Sequence, residues 1–258
     1  MGTPKNWTPI AKKGALLSAL VAAGAVGVGL TDKVDPVFPG VMFESKILLP
    51  LPGTYCSAGV PVATADGRLG FLIASRCTDP FWPGSYVYQP WFGPTTFAGY
   101  STDWGTDNSY YEPDRRKPDA ALWIVMGRGA SNEVPLGYCG RTGSRDMVGV
   151  VPEASITSVS NIWKMGHVTR CTGTWSKSNI WPDTRYSGSV YSVPIEELNS
   201  DSGDSGGLVF TIGCYGRCGV NAVGIIIGGI PPGGPWRYVL VQSADYALRY
   251  YGARPYVG

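Results

Sequence analysis

The strongest constraint on this chain is how often it is interrupted. Short β-branched and aromatic runs alternate with clusters of Gly, Pro, Asp and Asn along almost its whole length. Runs this short and this broken cannot build long helices or a coiled coil. They predict strands at 57–64, 70–74, 120–126, 162–165, 188–192, 207–212, 222–227 and 238–243. Asp66-Gly67, between the first two, reads as a hairpin turn. Only 243–251 reads as helix: Ser243 can cap it, Asp245 suits its positive end, and Gly252 can stop it. The 258 residues include 36 glycines and 21 prolines, and only 16% are charged. That composition suits a turn-rich all-β protein with a real core. No internal period marks a solenoid. Many short strands with one terminal helix imply packed barrels or a sandwich.

Charge and cysteine content narrow the function classes. The formal net charge is +2, and the one compact basic cluster, Arg115-Arg116-Lys117, reads as a solvated loop. No nucleic-acid partner is expected. The single histidine, His167, excludes a His-rich metal site. The six cysteines lack paired CxxC spacing, which favours disulfides over zinc. Neither a metal nor another cofactor is implied.

Lys5, Lys12 and Lys13 precede an uncharged apolar run over 14–30, and Ala23-Gly24-Ala25 fits a small-x-small cleavage site. Residues 1–30 therefore read as a signal peptide or as an uncleaved anchor that just spans a bilayer. Either way the rest of the chain is expected outside the cytoplasm, secreted or envelope-anchored, where disulfides persist. Residues 31–54 read as a linker or pro-segment. The stretch 81–118 is rich in aromatics, Gly and Pro, among them Trp82, Tyr86, Tyr88, Trp91 and Phe97. It reads as a long loop, either packed on itself or presenting a binding surface.

The motif that carries chemistry is Gly203-Asp204-Ser205-Gly206-Gly207. A nucleophilic serine needs an exposed hydroxyl on a tight turn. Flanking glycines let the backbone make that turn and aim N–H groups at one point. The N–H groups of Gly203 and Ser205 are the expected oxyanion donors.

With this motif the chain resembles the chymotrypsin/trypsin-like serine peptidases, and most of all their secreted bacterial branch of streptogrisin and α-lytic type. The resemblance runs from Cys56 to the C-terminus. Cys56-Ser57-Ala58-Gly59 resembles the start of the first barrel, and Asp119-Ala120-Ala121-Leu122 the strand of the triad aspartate. Trp163 to Thr169 is similar to the segment that opens the second barrel. Ile227-Gly228-Gly229 resembles the strand lining the substrate cleft. The implied fold is two antiparallel β-barrels with a short C-terminal helix, the first over 55–150 and the second over 151–258. The resemblance also implies a Cys56–Cys77 bridge, an Asp204–Lys164 ion pair, and a specificity pocket with Asn199 near its floor. Cys214 and Cys218 could staple a hairpin, which leaves Cys139 and Cys171 to each other.

The departures bear on function. Phe71 to Cys77 falls where the family has Thr-Ala-Gly-His-Cys, so Arg76 stands in the slot of the general base. An arginine has no acceptor nitrogen and stays protonated, so it cannot take the serine proton. It could instead pair with Asp119. His167 is not expected to replace the base. A serine that supports the aspartate in the family is Ile227 here. The sequence therefore implies a non-catalytic or very weak peptidase homologue that binds extended peptides by strand addition along 227–229. Two alternatives stand beside it: an active serine hydrolase with an unconventional base, and an envelope scaffold that uses the aromatic stretch.

Overall fold

A computed structural model describes residues 29–46, 53–78, 85–91, 93, 95–101, 117–186, 189–229 and 238–257. The expected signal or anchor lies outside them but for its last two residues. No helix among the described residues is long and apolar enough to cross a membrane.

The chain first lays down β1 (Met42–Lys46), β2 (Thr54–Ser57), β3 (Val60–Ala63), β4 (Leu69–Ile73), β5 (Tyr86–Tyr88), β6 (Phe97–Ser101) and β7 (Ala121–Val125). It continues with β8 (Glu133–Val134), β9 (Arg145–Val150), β10 (Ile162–Gly166), β11 (Arg170–Thr174), β12 (Trp181–Pro182), β13 (Val190–Pro194), β14 (Leu208–Tyr215), β15 (Arg217–Gly229) and β16 (Tyr238–Ser243). Helix α1 (Ala244–Tyr251) and the short β17 (Arg254–Pro255) close it. Two sheets result. One has the order β17-β3-β4-β7-β6-β5-β1-β2 and the other β11-β10-β14-β15-β16-β13-β12, with β9 attached to β15. All pairings are antiparallel except β9 with β15. This is the all-β, two-barrel architecture expected, with one short α-helix among the described residues. Ser243 Oγ caps that helix by accepting from Tyr246 N–H, and Gly252 ends it with a left-handed φ of 59°.

Three expectations need correction. Residues 31–54 are not simply a linker. Strand β1 lies between β2 and β5 in the first sheet, and Val37, Val41 and Phe43 are wholly buried. The stretch 81–118 is not wholly a loop. Tyr86–Tyr88 and Phe97–Ser101 pair as a hairpin, and Phe97 meets Tyr86 and Tyr88 edge-on. The rest of that stretch lies largely outside the described residues. The barrel boundaries also shift, because β8 and β9 join the second sheet and β17 returns to pair with β3 in the first.

The core forms two clusters. The larger fills the first barrel around Phe43, Phe71 and Trp123 and continues through Met165, Phe210, Ile225 and Ile227. The smaller, around Ile162, Val193, Val209 and Ile226, fills the second barrel. Ile226 and Ile227 thus face different cores. A register shift in the β15–β16 pairing between Ile226 and Gly228 marks a bulge at this point. Disulfides join Cys56 to Cys77, Cys139 to Cys171, and Cys214 to Cys218 across the β14–β15 turn.

Candidate active site

Residues 201–207 lead into β14 as a tight turn held from three sides. Asp204 N–H donates to Asp201 O (3.0 Å), and Gly207 N–H donates to Asp204 O (2.9 Å). Gly206 N–H donates to Ile226 O (2.7 Å), and Ile226 N–H returns to Gly207 O (3.0 Å). Ser57 N–H, from the first barrel, donates to Ser205 O (2.9 Å). The turn needs φ of +98° at Gly203 and +85° at Gly206, which a side chain resists. A Cβ on Gly206 would also come within 2.5 Å of Ser57 O.

Two N–H groups remain unspent in this bonding. Those of Gly203 and Ser205 donate to no acceptor among the described residues. Ser205 itself is only 8% exposed. Paired unspent donors beside a serine hydroxyl can receive a carbonyl or carboxylate oxygen.

Asp204 anchors the turn from beneath. Its Oδ2 lies 2.7 Å from Lys164 Nζ, and both side chains are wholly buried. Val168 N–H (2.9 Å) and Thr169 N–H (3.2 Å) donate to Oδ1, and Thr169 Oγ1 donates to Oδ2. Burial alone would raise the Asp204 carboxyl, but Lys164 and these donors hold it below the ordinary carboxylate value. Burial also lowers the Lys164 ammonium, and Asp204 opposes that in part.

Asp119, just ahead of β7, is 5% exposed. Its Oδ1 accepts the Ser75 hydroxyl, and its N–H donates to Gln242 Oε1 (2.9 Å). Arg76 shares the 3₁₀ turn Ser75–Cys77 but is exposed. Its guanidinium lies against Gly228, where a side chain would collide with it. The expected Arg76–Asp119 ion pair does not form. Successive side chains on a 3₁₀ turn diverge by about 120°, so Ser75 reaches inward to the carboxylate while Arg76 turns outward. Cys77, next along, brings its Sγ within 3.7 Å of Ser205 O, so this turn and the Ser205 turn are neighbours.

Residues 227–229 form the end of β15. Gly228 and Gly229 pair with Leu240 and Val239 of β16. On the other side β14 reaches only as far as Ile225, so the second edge of 227–229 carries no strand among the described residues. Asn199 is exposed, and its carbonyl accepts from Thr169 and Thr172 (2.9 Å each).

The architecture has clear counterparts among solved structures. A glutamic acid specific serine protease that uses a histidine triad in substrate binding aligns with 85% of this chain and 100% of its own (TM-score 0.56, 19% identity). Thermobifida fusca Protease A aligns over 86% and 99% (TM-score 0.54, 19% identity). An α-lytic protease homolog, N4, aligns over 84% and 98% (TM-score 0.53, 16% identity). This is the chymotrypsin-like double-barrel fold. No family profile and no curated protein sequence matches the chain.

Within this chymotrypsin-like frame, the sequence reading missed Ser75, Ser57 and Gln242 as partners of the site. His167, read as a structural or solvated histidine, is half-buried on the far side of Ser57. Ser57 Oγ donates to Gly203 O (2.9 Å) and receives His167 N–H (2.9 Å). His167 Nδ1 lies 3.0 Å from the same oxygen. Burial lowers the His167 pKa, opposed by Asp204 and the Gly203 carbonyl. His167 also lines an open hollow with Met42, Tyr55, Trp91, Ser202 and Gly203. No sequence signal announces the Ser57–His167 pairing, because the two are 110 residues apart.

Proposed function

We propose that this is a secreted relative of the bacterial chymotrypsin-like serine proteases, non-catalytic or very weakly catalytic, that holds an extended peptide in the groove between its barrels. The observation that carries the reading is Arg76. It lies on the 3₁₀ turn next to the Ser205 turn, in the slot where the family resemblance implies the general base, and its guanidinium can neither accept nor return a proton. Among the described residues no base is hydrogen-bonded to Ser205 Oγ. Loss of the triad histidine costs about 10⁶ in turnover in the subtilisin series, or about 8 kcal/mol of barrier. An oxyanion hole alone retains about 10³–10⁴ over water. The open edge of 227–229 supports peptide pairing by strand addition, and the three disulfides suit an oxidising exterior.

A fluorophosphonate probe tests the reading. Wild type should stay unlabelled, and Arg76→His should gain labelling that Ser205→Ala removes. Labelling of wild type that Ser205→Ala abolishes would show an activated serine and overturn the proposal.

A further inference from the structure

We propose that Arg76 and the N–H groups of Gly203 and Ser205 form a carboxylate site that holds the free C-terminus of a bound peptide. The inference rests on the reading of the groove as a peptide site and names the kind of peptide it selects.

The argument begins with unmet bonding capacity. Gly203 and Ser205 offer two N–H groups with no acceptor among the described residues. Arg76 offers an exposed guanidinium with no ion pair among the described residues. A carboxylate has two oxygens and a negative charge. One oxygen suits the N–H pair and the other suits the guanidinium, whose planar fork favours that geometry.

Among the described residues, the nearby acids are engaged elsewhere. Asp119 takes the Ser75 hydroxyl. Asp204 points its oxygens at Lys164, Val168 and Thr169. Among the described residues, the Arg76 guanidinium beside Gly228 is therefore left with its charge unpaired.

For a peptide added antiparallel to β15, the group that reaches the Ser205 turn is its C-terminal carboxylate rather than a side chain. Ile226 is bonded to Gly206 and Gly207, so the Ile226 end of β15 adjoins the Ser205 turn. A peptide paired along β15 from Gly229 towards Ile227 brings its main chain past the Arg76 guanidinium at Gly228 and onto the Gly203 and Ser205 donors. An internal peptide bond arriving there has no charge for Arg76. A peptide that ends there has one.

The test uses the full chain and three pools of N-terminally biotinylated random octapeptides. One pool ends in a free carboxylate, one in a C-terminal amide, and one in an amide preceded by a fixed Glu. Retained peptide is quantified by mass spectrometry. The free-acid pool should be retained about 10- to 100-fold better than the plain amide pool, as expected for loss of a charged hydrogen bond. Arg76→Gln and Arg76→Ala should each reduce the acid pool to the amide level with unchanged melting curves. Equal retention of acid and amide pools, or no effect of either Arg76 variant, would overturn the carboxylate site and leave the groove reading intact. Retention of the Glu-amide pool at the free-acid level would overturn the terminal assignment in favour of a side-chain carboxylate. No retention of any pool would overturn the groove reading and this inference with it.

Discussion

Lys164→Met removes the only cationic partner of Asp204 among the described ion pairs and leaves the rest of the turn unaltered in composition. The contact it removes is a 2.7 Å bond between two wholly buried side chains. Asp204 would keep its neutral donors from Val168 and Thr169 but not its counter-charge. Breaking a buried pair from one side costs about 3–5 kcal/mol. For a chain of this size each kcal/mol is worth about 2–4 °C in Tm, so the variant should melt about 6–20 °C lower. The pH dependence gives a sharper criterion. In wild type the Asp204 pKa is lowered in the folded state, so its contribution is present at neutral pH and is lost as pH falls through that lowered value. Without Lys164 the burial that opposes the lowering prevails and the pKa rises. The variant should then regain part of its lost stability on going from pH 7.5 to pH 5, as Asp204 takes up a proton. Urea unfolding of both proteins at the two pH values measures this. A loss below about 1 kcal/mol at pH 7.5, or an unchanged gap between the proteins at pH 5, would refute the argument that this pair is a coupled, buried anchor of the turn.

Two further outcomes follow from the same geometry. Gly206→Ala forces a side chain into a φ of +85° and against Ser57 O, and should cost at least about 2 kcal/mol, measured by thermal melting. A variant as stable as wild type would mean the turn is not clamped by Ser57. His167 has its pKa lowered by burial, so the fold favours its neutral form. That contribution is complete above the ordinary value of 6.5 and declines as pH falls below it. His167→Gln should therefore show a shallower loss of stability than wild type between pH 7.5 and pH 5 in chemical denaturation, and an identical slope would contradict the assignment.

How much of this was legible in the sequence depended on the range of the interaction involved. Strands such as β4, β7 and β14 were readable because their apolar runs lie between turn residues. Strand β1 was not, because Glu44 is buried within it at 3% exposure and breaks the apolar signal. Strand β9 carries Arg145 and Asp146 and owes its place to a parallel pairing with β15, which no local pattern encodes. At the site, the turn around Ser205 was readable because its backbone requires glycine at 203 and 206. The partners of Asp119 were not. Opposite charge suggested Arg76, yet the 3₁₀ turn at Ser75–Cys77 turned the serine inward and the arginine outward.

The bonds that hold the Ser205 turn do not depend on the serine hydroxyl. Ser57 N–H binds Ser205 O across the two barrels. Gly206 and Gly207 tie the turn to Ile226, and Asp204 is buried on Lys164. Each of these bonds joins structural elements and requires nothing of the serine hydroxyl. A change of side chain at position 76, which makes none of these bonds, would therefore leave the turn standing. Its remaining donors, on Gly203 and Ser205, would still lack an acceptor among the described residues whatever side chain occupies position 76. Under the proposed carboxylate site, arginine at position 76 would set a permanent positive charge beside those donors and favour a carboxylate over a neutral carbonyl.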